Sequence, residues 1–328
     1  MISLNQKTGL CSLGYELDCH PNAFGHLKNS SDLYQVSLKD TTPLQANDTS
    51  KLNLQSLEIF DELRRRMLED GYLYLPGLLN PQAIWQARLE IAESLAAEGS
   101  LASDYSIMDC VARSGLSMSF RPDLALKSPT LKQLLYSGTL MEFFQGFLAG
   151  NVRPYDYTWL RAVAPGLGTY PHCDIVYMGR GTHNLYTVWT PLGNISWDMG
   201  GLMILENSHR LENIKNRYGL RDVDSYCENR KNAQLYASNQ KWWDGALSKN
   251  PVSLRQRYGG RWLSNEFKAG DVLIFSMFTI HASLDNHSQF IRLSSDSRYQ
   301  LASEPVDERW IGIHPIGHST AAKRGRLC

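Results

Sequence analysis

From about Arg153 onward, the chain consists of short apolar or alternating runs separated by turn-forming residues. The runs cover residues 155–163, 184–190, 202–205, 271–283 and 290–299. Turns such as Gly200-Gly201 and Asp285-Asn286 lie between them. Closely spaced short strands of this kind are typical of antiparallel sheets. The pattern therefore predicts an antiparallel sandwich or jelly roll rather than a parallel sheet.

Before residue 150, the apolar residues follow a helical period instead. Helices are predicted over residues 57–70, 81–97 and about 128–148, and a short strand over residues 72–75. The first helix ends at Asp70-Gly71, because glycine commonly follows a helix C-terminus. The chain is therefore predicted to mix α and β structure, with N-terminal helices that flank the sheets.

Differences in composition along the chain suggest how it is organised. The predicted parts are an irregular N-terminal arm at residues 1–52, a single jelly-roll domain at residues 53–310, and a C-terminal tail at residues 311–328. A polar insert at about residues 210–261 interrupts the domain and is expected to be a lid or a surface decoration. Trp242 and Trp243 lie within this insert and are expected to pack it onto the domain, with a contact to substrate as the alternative.

Charge and cysteine content exclude several kinds of partner. The 33 basic residues equal the 33 acidic ones, so no nucleic-acid partner is predicted. No apolar run has the length of a membrane span, and a signal peptide is not expected. The six cysteines are scattered, which argues against a zinc ribbon or a dense disulfide framework. We therefore expect a cytoplasmic protein with no membrane contact, and a basic terminus at residues 323–326 that is solvated.

The motif Tyr170-Pro-His172-Cys-Asp174 is the main candidate for chemistry. If it is a strand, alternation places the His172 imidazole and the Asp174 carboxylate side by side. His281 is the best third ligand, because it ends the apolar run 271–280, which is interpreted as a buried strand. Two imidazoles and one carboxylate are the ligands of non-haem Fe(II) oxygenases, and they leave positions open for a 2-oxo acid and O2. For His172 alone, a purely structural histidine is the alternative.

A later run places polar residues on one face of a predicted strand, namely Arg292, Ser294, Asp296 and Arg298. A guanidinium inside a barrel is costly unless it meets an anion. The distal carboxylate of 2-oxoglutarate is such an anion, and Ser283 or Ser294 could add a hydrogen bond. The alternative for Arg292 is an internal ion pair. For Asp296 and Arg298, a mutual or local ion pair is expected.

Taken together, these motifs resemble the phytanoyl-CoA dioxygenase family, over about residues 57–300. The resemblance rests on Gly71-Tyr-Leu-Tyr-Leu-Pro-Gly77, His172-Cys-Asp174, Tyr177-Met-Gly-Arg-Gly181, Trp189-Thr-Pro-Leu192, Gly201 through His209, Gly270-Asp271 and His281 through Arg292. It implies a double-stranded β-helix, which is a cupin-like jelly roll. It also implies an enzyme that depends on Fe(II), 2-oxoglutarate and O2.

The resemblance assigns roles to individual residues as well. The matching positions are His172, Asp174 and His281 for iron, Arg292, Ser283 and Trp189 for 2-oxoglutarate, and Arg161 for a further anionic contact. Related halogenases carry a small residue in place of the carboxylate ligand. Because Asp174 is present, the resemblance favours hydroxylation.

The function predicted from the sequence is hydroxylation of a small organic molecule or an acyl thioester, with release of succinate and CO2. Three alternatives use the same fold: an isomerase or lyase with another divalent metal, a zinc hydrolase, and a non-catalytic ligand-binding module. None of the three consumes O2. The sequence identifies neither the substrate nor the oligomeric state.

Overall fold

The computed structural model describes residues 24–30, 54–238 and 243–328. Its helices are α1 (Leu54–Asp70), α2 (Pro81–Ala97), α3 (Pro122–Leu126), α4 (Pro129–Tyr136), α5 (Thr139–Leu148), α6 (Ile175–Met178), α7 (Ala233–Ala237) and α8 (Pro251–Tyr258). Its strands are β1 (Phe24–His26), β2 (Tyr72–Leu75), β3 (Val152–Pro154), β4 (Trp159–Val163), β5 (Thr169–His172), β6 (Tyr186–Pro191), β7 (Leu202–Leu205), β8 (Ser225–Cys227), β9 (Trp262–Ser264), β10 (Val272–Ser276), β11 (His281–Ser283), β12 (Arg292–Leu301) and β13 (Arg324–Arg326). Within the described ranges, no helix combines the length and the apolar character needed to cross a bilayer.

Two sheets pack face to face to form the core. One has the strand order β1-β9-β7-β11-β5, and the other has the order β2-β10-β6-β12-β3, with β4 also paired to β12. Buried side chains from both sheets meet between them, including Trp189 and Phe275 from the second sheet and Ile204 and Leu263 from the first. Apart from the parallel pair β1–β9, the strands of both sheets are antiparallel. The predicted antiparallel sandwich is therefore present.

The N-terminal helices cover the outer face of the second sheet. Tyr299 of β12 stacks on Phe144 of α5, with 4.3 Å between the ring centroids, and both side chains are fully buried. Each such side chain stabilises the fold by roughly 1.5–3 kcal/mol when it leaves water. Because side chains alternate along β12, the face opposite Tyr299 carries Arg292 and Arg298, which point between the sheets. The helices thus fix the strand that supplies the polar residues of the interior.

The predicted helix boundaries hold for α1 and α2 but not for the third helix. Asn80 caps α2 by accepting a hydrogen bond from the Gln82 amide at 2.8 Å, and proline occupies the first helical position. The single helix expected over residues 128–148 is two helices, α4 and α5. The break lies at Gly138, whose φ of 57° favours glycine. On α1, Leu68 is 75% exposed and lies off the buried face of the helix.

The predicted N-terminal arm and polar insert are both described in part. Of the arm, residues 24–30 are described, and β1 extends the first sheet by pairing with β9. The insert at residues 210–261 packs on the domain, since the Leu247 amide donates to a carbonyl of β5 at 2.8 Å. Trp243 contacts Tyr218 edge to face within the insert, and it also packs against the buried cluster that includes Cys173 and Ile175 of the domain. Trp242 lies outside the described residues.

The C-terminal tail is attached to the polar insert, and part of it stays exposed. β13 pairs with β8, and a disulfide joins Cys328 to Cys227. Lys323 lies 3.5 Å from the fully buried Asp224. Residues 324–326 are exposed, as expected for a solvated terminus, although their backbone pairs with β8 and the Lys323 side chain is buried. A pairing between residues 101 positions apart leaves no local sequence pattern that could have predicted it.

Candidate metal centre

Three buried side chains converge where β5 ends and β11 begins. His172 and His281 are direct partners in the antiparallel register of these strands. Oδ1 of Asp174 lies 3.9 Å from Nε2 of His172 and 3.6 Å from Nε2 of His281. One ligand atom from each residue lies within 4.8 Å of the others. The arrangement fits a metal ion held by two nitrogens and one oxygen.

The local structure differs from the prediction at two of these residues. β5 ends at His172, and Asp174 has helical angles (φ −66°, ψ −22°) at the start of α6. The start of a helix, rather than strand alternation, therefore brings the carboxylate to the imidazole. His281 does not end the strand 271–280 either, because β10 stops at Ser276. A turn closed by the hydrogen bond from Thr279 N to Ser276 O then leads the chain into β11 of the other sheet.

Backbone carbonyls fix the two imidazole rings. Nδ1 of His172 lies 2.7 Å from the Tyr170 carbonyl oxygen, and Nδ1 of His281 lies 3.0 Å from that of Thr279. A carbonyl can only accept, so each Nδ1 carries the proton and donates it. Each Nε2 then keeps its lone pair and faces Asp174. Outer hydrogen bonds of this kind orient histidine ligands in metal sites.

Asp174 has different partners on its two oxygens. Its Oδ2 accepts hydrogen bonds from the Thr187 hydroxyl and from Nη2 of Arg298, the latter at 3.1 Å. The side chains of Asp174 and Arg298 are each 3% exposed. The other oxygen, Oδ1, is the one that faces the two imidazoles. The carboxylate thus presents a single oxygen to the space between the rings.

These contacts set the charge state of the cluster. Burial and the neighbouring His281 lower the pKa of His172 to about 3, and burial also lowers the pKa of His281. Burial alone raises the pKa of Asp174, but Arg298 reverses this effect and the pKa lies below its usual range. At neutral pH, the cluster therefore consists of two neutral imidazoles and one carboxylate, which is the protonation state a divalent metal needs.

Arg292 is buried between the sheets without a counterion. It is 1% exposed, and among the residues that the structure describes it has neither a hydrogen-bond acceptor nor an ion-pair partner. The hydroxyls of Ser283 and Ser294 are likewise buried and lack hydrogen-bond partners in that part of the chain. Burial and the nearby Arg161 lower the pKa of Arg292 to about 10, so it stays charged at neutral pH. A buried cation without an ion-pair partner is the type of group that binds the carboxylate of an organic acid.

The remaining predicted residues occupy the same interior face. Nε of Arg161 donates to Asp296 at 3.1 Å. Asp296 and Arg298 both form ion pairs, as expected, but with Arg161 and Asp174 rather than with each other. Trp189 pairs with Asp296 in the register of β6 and β12, and it packs edge to face on Phe267. Strand alternation gave the correct face for these residues but could not identify their partners.

A cleft of about 310 Å³ opens on the metal cluster. Aromatic side chains line much of it, and polar groups complete it; they include Phe120, Trp159, Tyr170, Tyr177, Asp244 and His318. His318 comes from the C-terminal tail, and its Nδ1 lies 2.7 Å from Asp224 Oδ2. Sequence reasoning gave His318 no role, because a lone histidine in a terminal segment carries no signal. The contributions of Thr187 and Tyr177 were also missed, because a single threonine on a strand or a single tyrosine in a short helix carries no chemical signal by itself.

The sequence also matches the model of a known protein family. The model of the phytanoyl-CoA dioxygenase family matches residues 67–294 of this chain. This range contains every residue of the metal cluster as well as Arg292. The chain therefore belongs to the phytanoyl-CoA dioxygenase family. Among curated proteins, none matches the chain significantly.

Solved structures give the same fold. EctD from S. alaskensis, solved with 2-oxoglutarate and 5-hydroxyectoine, is 17% identical with a TM-score of 0.54, over 87% of this chain and 91% of that one. The carbocyclase SnoK from nogalamycin biosynthesis is 18% identical with a TM-score of 0.52, over 81% and 90%. The epimerase SnoN, solved with Fe3+, alpha ketoglutarate and nogalamycin RO, is 18% identical with a TM-score of 0.52, over 79% and 93%. The family model confirms the predicted family and its class of non-haem iron, 2-oxoglutarate-dependent enzymes, and the solved structures confirm the jelly-roll fold.

Proposed function

We propose that this protein binds Fe(II) through His172, Asp174 and His281, binds 2-oxoglutarate through Arg292, and hydroxylates a small organic molecule. The observation that carries the proposal is the buried Arg292, which has no counterion in the described part of the chain. A lone buried cation costs several kcal/mol, roughly 3–5 where a partner has been removed. A binding role for the carboxylate of 2-oxoglutarate accounts for a buried guanidinium that has no ion-pair partner within hydrogen-bond distance in the described part of the chain.

Each side chain has a separate task in this proposal. The two histidines hold Nε2 toward the metal, because carbonyls hold the proton on Nδ1. Asp174 supplies Oδ1 as the third ligand atom. Arg292 takes the distal carboxylate of 2-oxoglutarate, and the free hydroxyls of Ser283 and Ser294 complete its hydrogen bonds.

Two further residues are assigned supporting roles. Trp189 is fully buried against Phe267 and forms an apolar wall of the co-substrate pocket. Arg161 adds positive charge near Arg292, and its Nε is already held by Asp296. The other N–H groups of Arg161 are the ones that would contact an anion.

Bound iron would supply the oxidation, in which one oxygen atom of O2 enters succinate as 2-oxoglutarate loses CO2 and the other converts a substrate C–H bond to C–OH. The protein positions the reactants and excludes water from the site. His172, Asp174 and His281 are 2–6% exposed, which keeps bulk water away from the ligand atoms. The aromatic side chains of the cleft hold the substrate against this buried cluster.

The cleft is consistent with a small substrate that carries both apolar surface and polar groups. Its volume of about 310 Å³ lies in the usual range for small-molecule sites. Because two proteins of similar fold are described as an epimerase and a carbocyclase, the fold does not decide the outcome of the oxidation. Hydroxylation is proposed because Asp174 fills the carboxylate position. A small organic molecule or an acyl thioester is the proposed substrate class.

We also propose that the protein is cytoplasmic. The disulfide between Cys227 and Cys328 argues against it, since disulfides are rare in cytosolic proteins. Counting free thiols in protein isolated under thiol-blocking conditions tests the point. Blocked thiols at both positions support the cytoplasm, and an intact disulfide in the native protein contradicts it.

The reaction class can be tested before the substrate is known. Purified protein is incubated with Fe(II), 2-oxoglutarate and isotopically labelled O2, and the succinate is analysed by mass spectrometry. We expect slow formation of succinate that carries one labelled oxygen atom, and none when O2 or Fe(II) is omitted. An isomerase or lyase that does not use 2-oxoglutarate, a hydrolase or a binding module yields no labelled succinate. That result, obtained with folded protein under these conditions, would remove the oxygenase proposal.

A further inference from the structure

Arg298 lies on the same face of β12 as Arg292, and it is the arginine that contacts the metal cluster. Its guanidinium carbon lies 4.0 Å from the centroid of the Trp159 ring, and its Nη2 donates to Asp174 Oδ2 at 3.1 Å. Its Nε and Nη1 are buried and have no hydrogen-bond partner in the described part of the chain. Asp174 is therefore the one anionic contact that the described residues give Arg298, and the stacked indole ring fixes the plane of the guanidinium.

The inference rests on the proposed function and extends it. We propose that Arg298 is a positioning residue that holds one oxygen of Asp174, so that the carboxylate binds iron through the other oxygen alone. Thr187 acts on the same oxygen from the neighbouring strand, β6. With Oδ2 held from two directions, the carboxylate cannot rotate to present both oxygens to the metal.

Holding Oδ2 of Asp174 affects how many coordination positions of the metal stay open. Carboxylates bind metals through one oxygen or through both. A carboxylate that used both would occupy an additional coordination position, and a 2-oxo acid and O2 together need three positions on the open face. Holding Oδ2 away from the metal preserves these positions.

A simple structural role would look different. An arginine that served stability alone is expected to saturate its donors, as Arg88 does with the carbonyl oxygens of Met108, Asp109 and Leu192. Arg298 instead leaves buried donors unsatisfied and directs one nitrogen at a metal-site carboxylate. The pair also spans two sheets, since Arg298 lies on β12 and Asp174 follows β5. This geometry favours a role in shaping the metal site.

The test compares Arg298→Gln and Arg298→Lys with the wild type, without need of a substrate. Mn(II) binding is measured by electron paramagnetic resonance of the free ion, as a readout independent of activity. We expect Arg298→Gln to weaken Mn(II) binding by about 10- to 100-fold, corresponding to the loss of a charged hydrogen bond worth about 1.5–3 kcal/mol. Arg298→Lys keeps the charge but not the planar fork, so it should recover part of the affinity. The visible band of the anaerobic Fe(II)–2-oxoglutarate complex should shift in Arg298→Gln.

Arg88→Gln is the matched control, since Arg88 is also buried but lies away from the cluster. It should lower the free energy of unfolding and leave Mn(II) affinity unchanged. If Arg298→Gln does not fold, Thr187→Val tests the same oxygen, with a smaller loss expected. Wild-type Mn(II) affinity and an unshifted band in folded Arg298→Gln would overturn the inference. A wild type that binds Mn(II) but forms no 2-oxoglutarate complex would instead count against the proposed function.

Discussion

Replacing Arg292 with methionine is expected to separate ligand binding from stability. The affinity for 2-oxoglutarate should fall by about 30- to 3,000-fold, because the loss of a buried charged partner costs about 2–5 kcal/mol. Affinity for Mn(II) should change little, since Arg292 does not contact the metal cluster. Isothermal titration calorimetry of the Mn(II)-loaded protein with 2-oxoglutarate measures the first quantity, and the free Mn(II) signal measures the second.

The same variant should leave the ligand-free protein as stable as the wild type, or more so. Arg292 is a buried cation without a counterion in the described residues, and methionine fills a similar volume without a charge. Denaturant unfolding of the metal-free protein gives the comparison. Arg88→Met is the control, because it removes three hydrogen bonds to backbone carbonyls and should destabilise the fold by about 2–4 kcal/mol. A marked loss of stability in Arg292→Met, with unchanged affinity for 2-oxoglutarate, would show that Arg292 is structural.

Asp174→Ala is expected to abolish metal-dependent turnover and to destabilise the protein. It removes the one carboxylate of the cluster, so Fe(II) binding should fall below detection at micromolar concentrations. It also leaves Arg298 as an uncompensated buried cation, which should cost about 3–5 kcal/mol. Succinate formation and denaturant unfolding measure the two effects.

A double variant distinguishes the two consequences of losing Asp174. Asp174→Ala combined with Arg298→Met removes both charges, so stability should return to within about 1–2 kcal/mol of the wild type. Turnover should stay absent, because the metal ligand is still missing. Restored turnover in the double variant would exclude Asp174 from the ligand set. Stability that stays low would show that the ion pair does not carry the penalty.

The sequence was sufficient for the residues whose type and spacing have few chemical explanations. His172 and Asp174 lie two positions apart, and Arg292 follows His281 by eleven residues along the chain. These spacings identified the site residues correctly, although the local structure differs from the prediction. Asp174 lies outside the strand and His281 begins a new one, yet the side chains still converge. Binary patterning likewise sufficed for the sandwich, because alternating apolar residues need a second sheet to cover them.

Partners distant in sequence could not be predicted in the same way. Arg298 and Asp174 are 124 residues apart, and strand alternation assigns a face but not a neighbour. The disulfide between Cys227 and Cys328 and the contact of His318 with Asp224 depend on how the C-terminal tail returns to the insert. The course of the C-terminal tail depends on many weak contacts throughout the fold, so no local sequence motif predicts it.

The most direct test of the metal and co-substrate site is an anaerobic titration of the intact protein with Fe(II) at saturating 2-oxoglutarate. Chelation of iron by the 2-oxo acid in a site of two imidazoles and one carboxylate should produce a weak visible charge-transfer band that saturates at one Fe(II) per chain. Arg292→Met should need far more 2-oxoglutarate to reach the same band. If the folded, iron-loaded wild type shows no band at any 2-oxoglutarate concentration, the account of this site is contradicted.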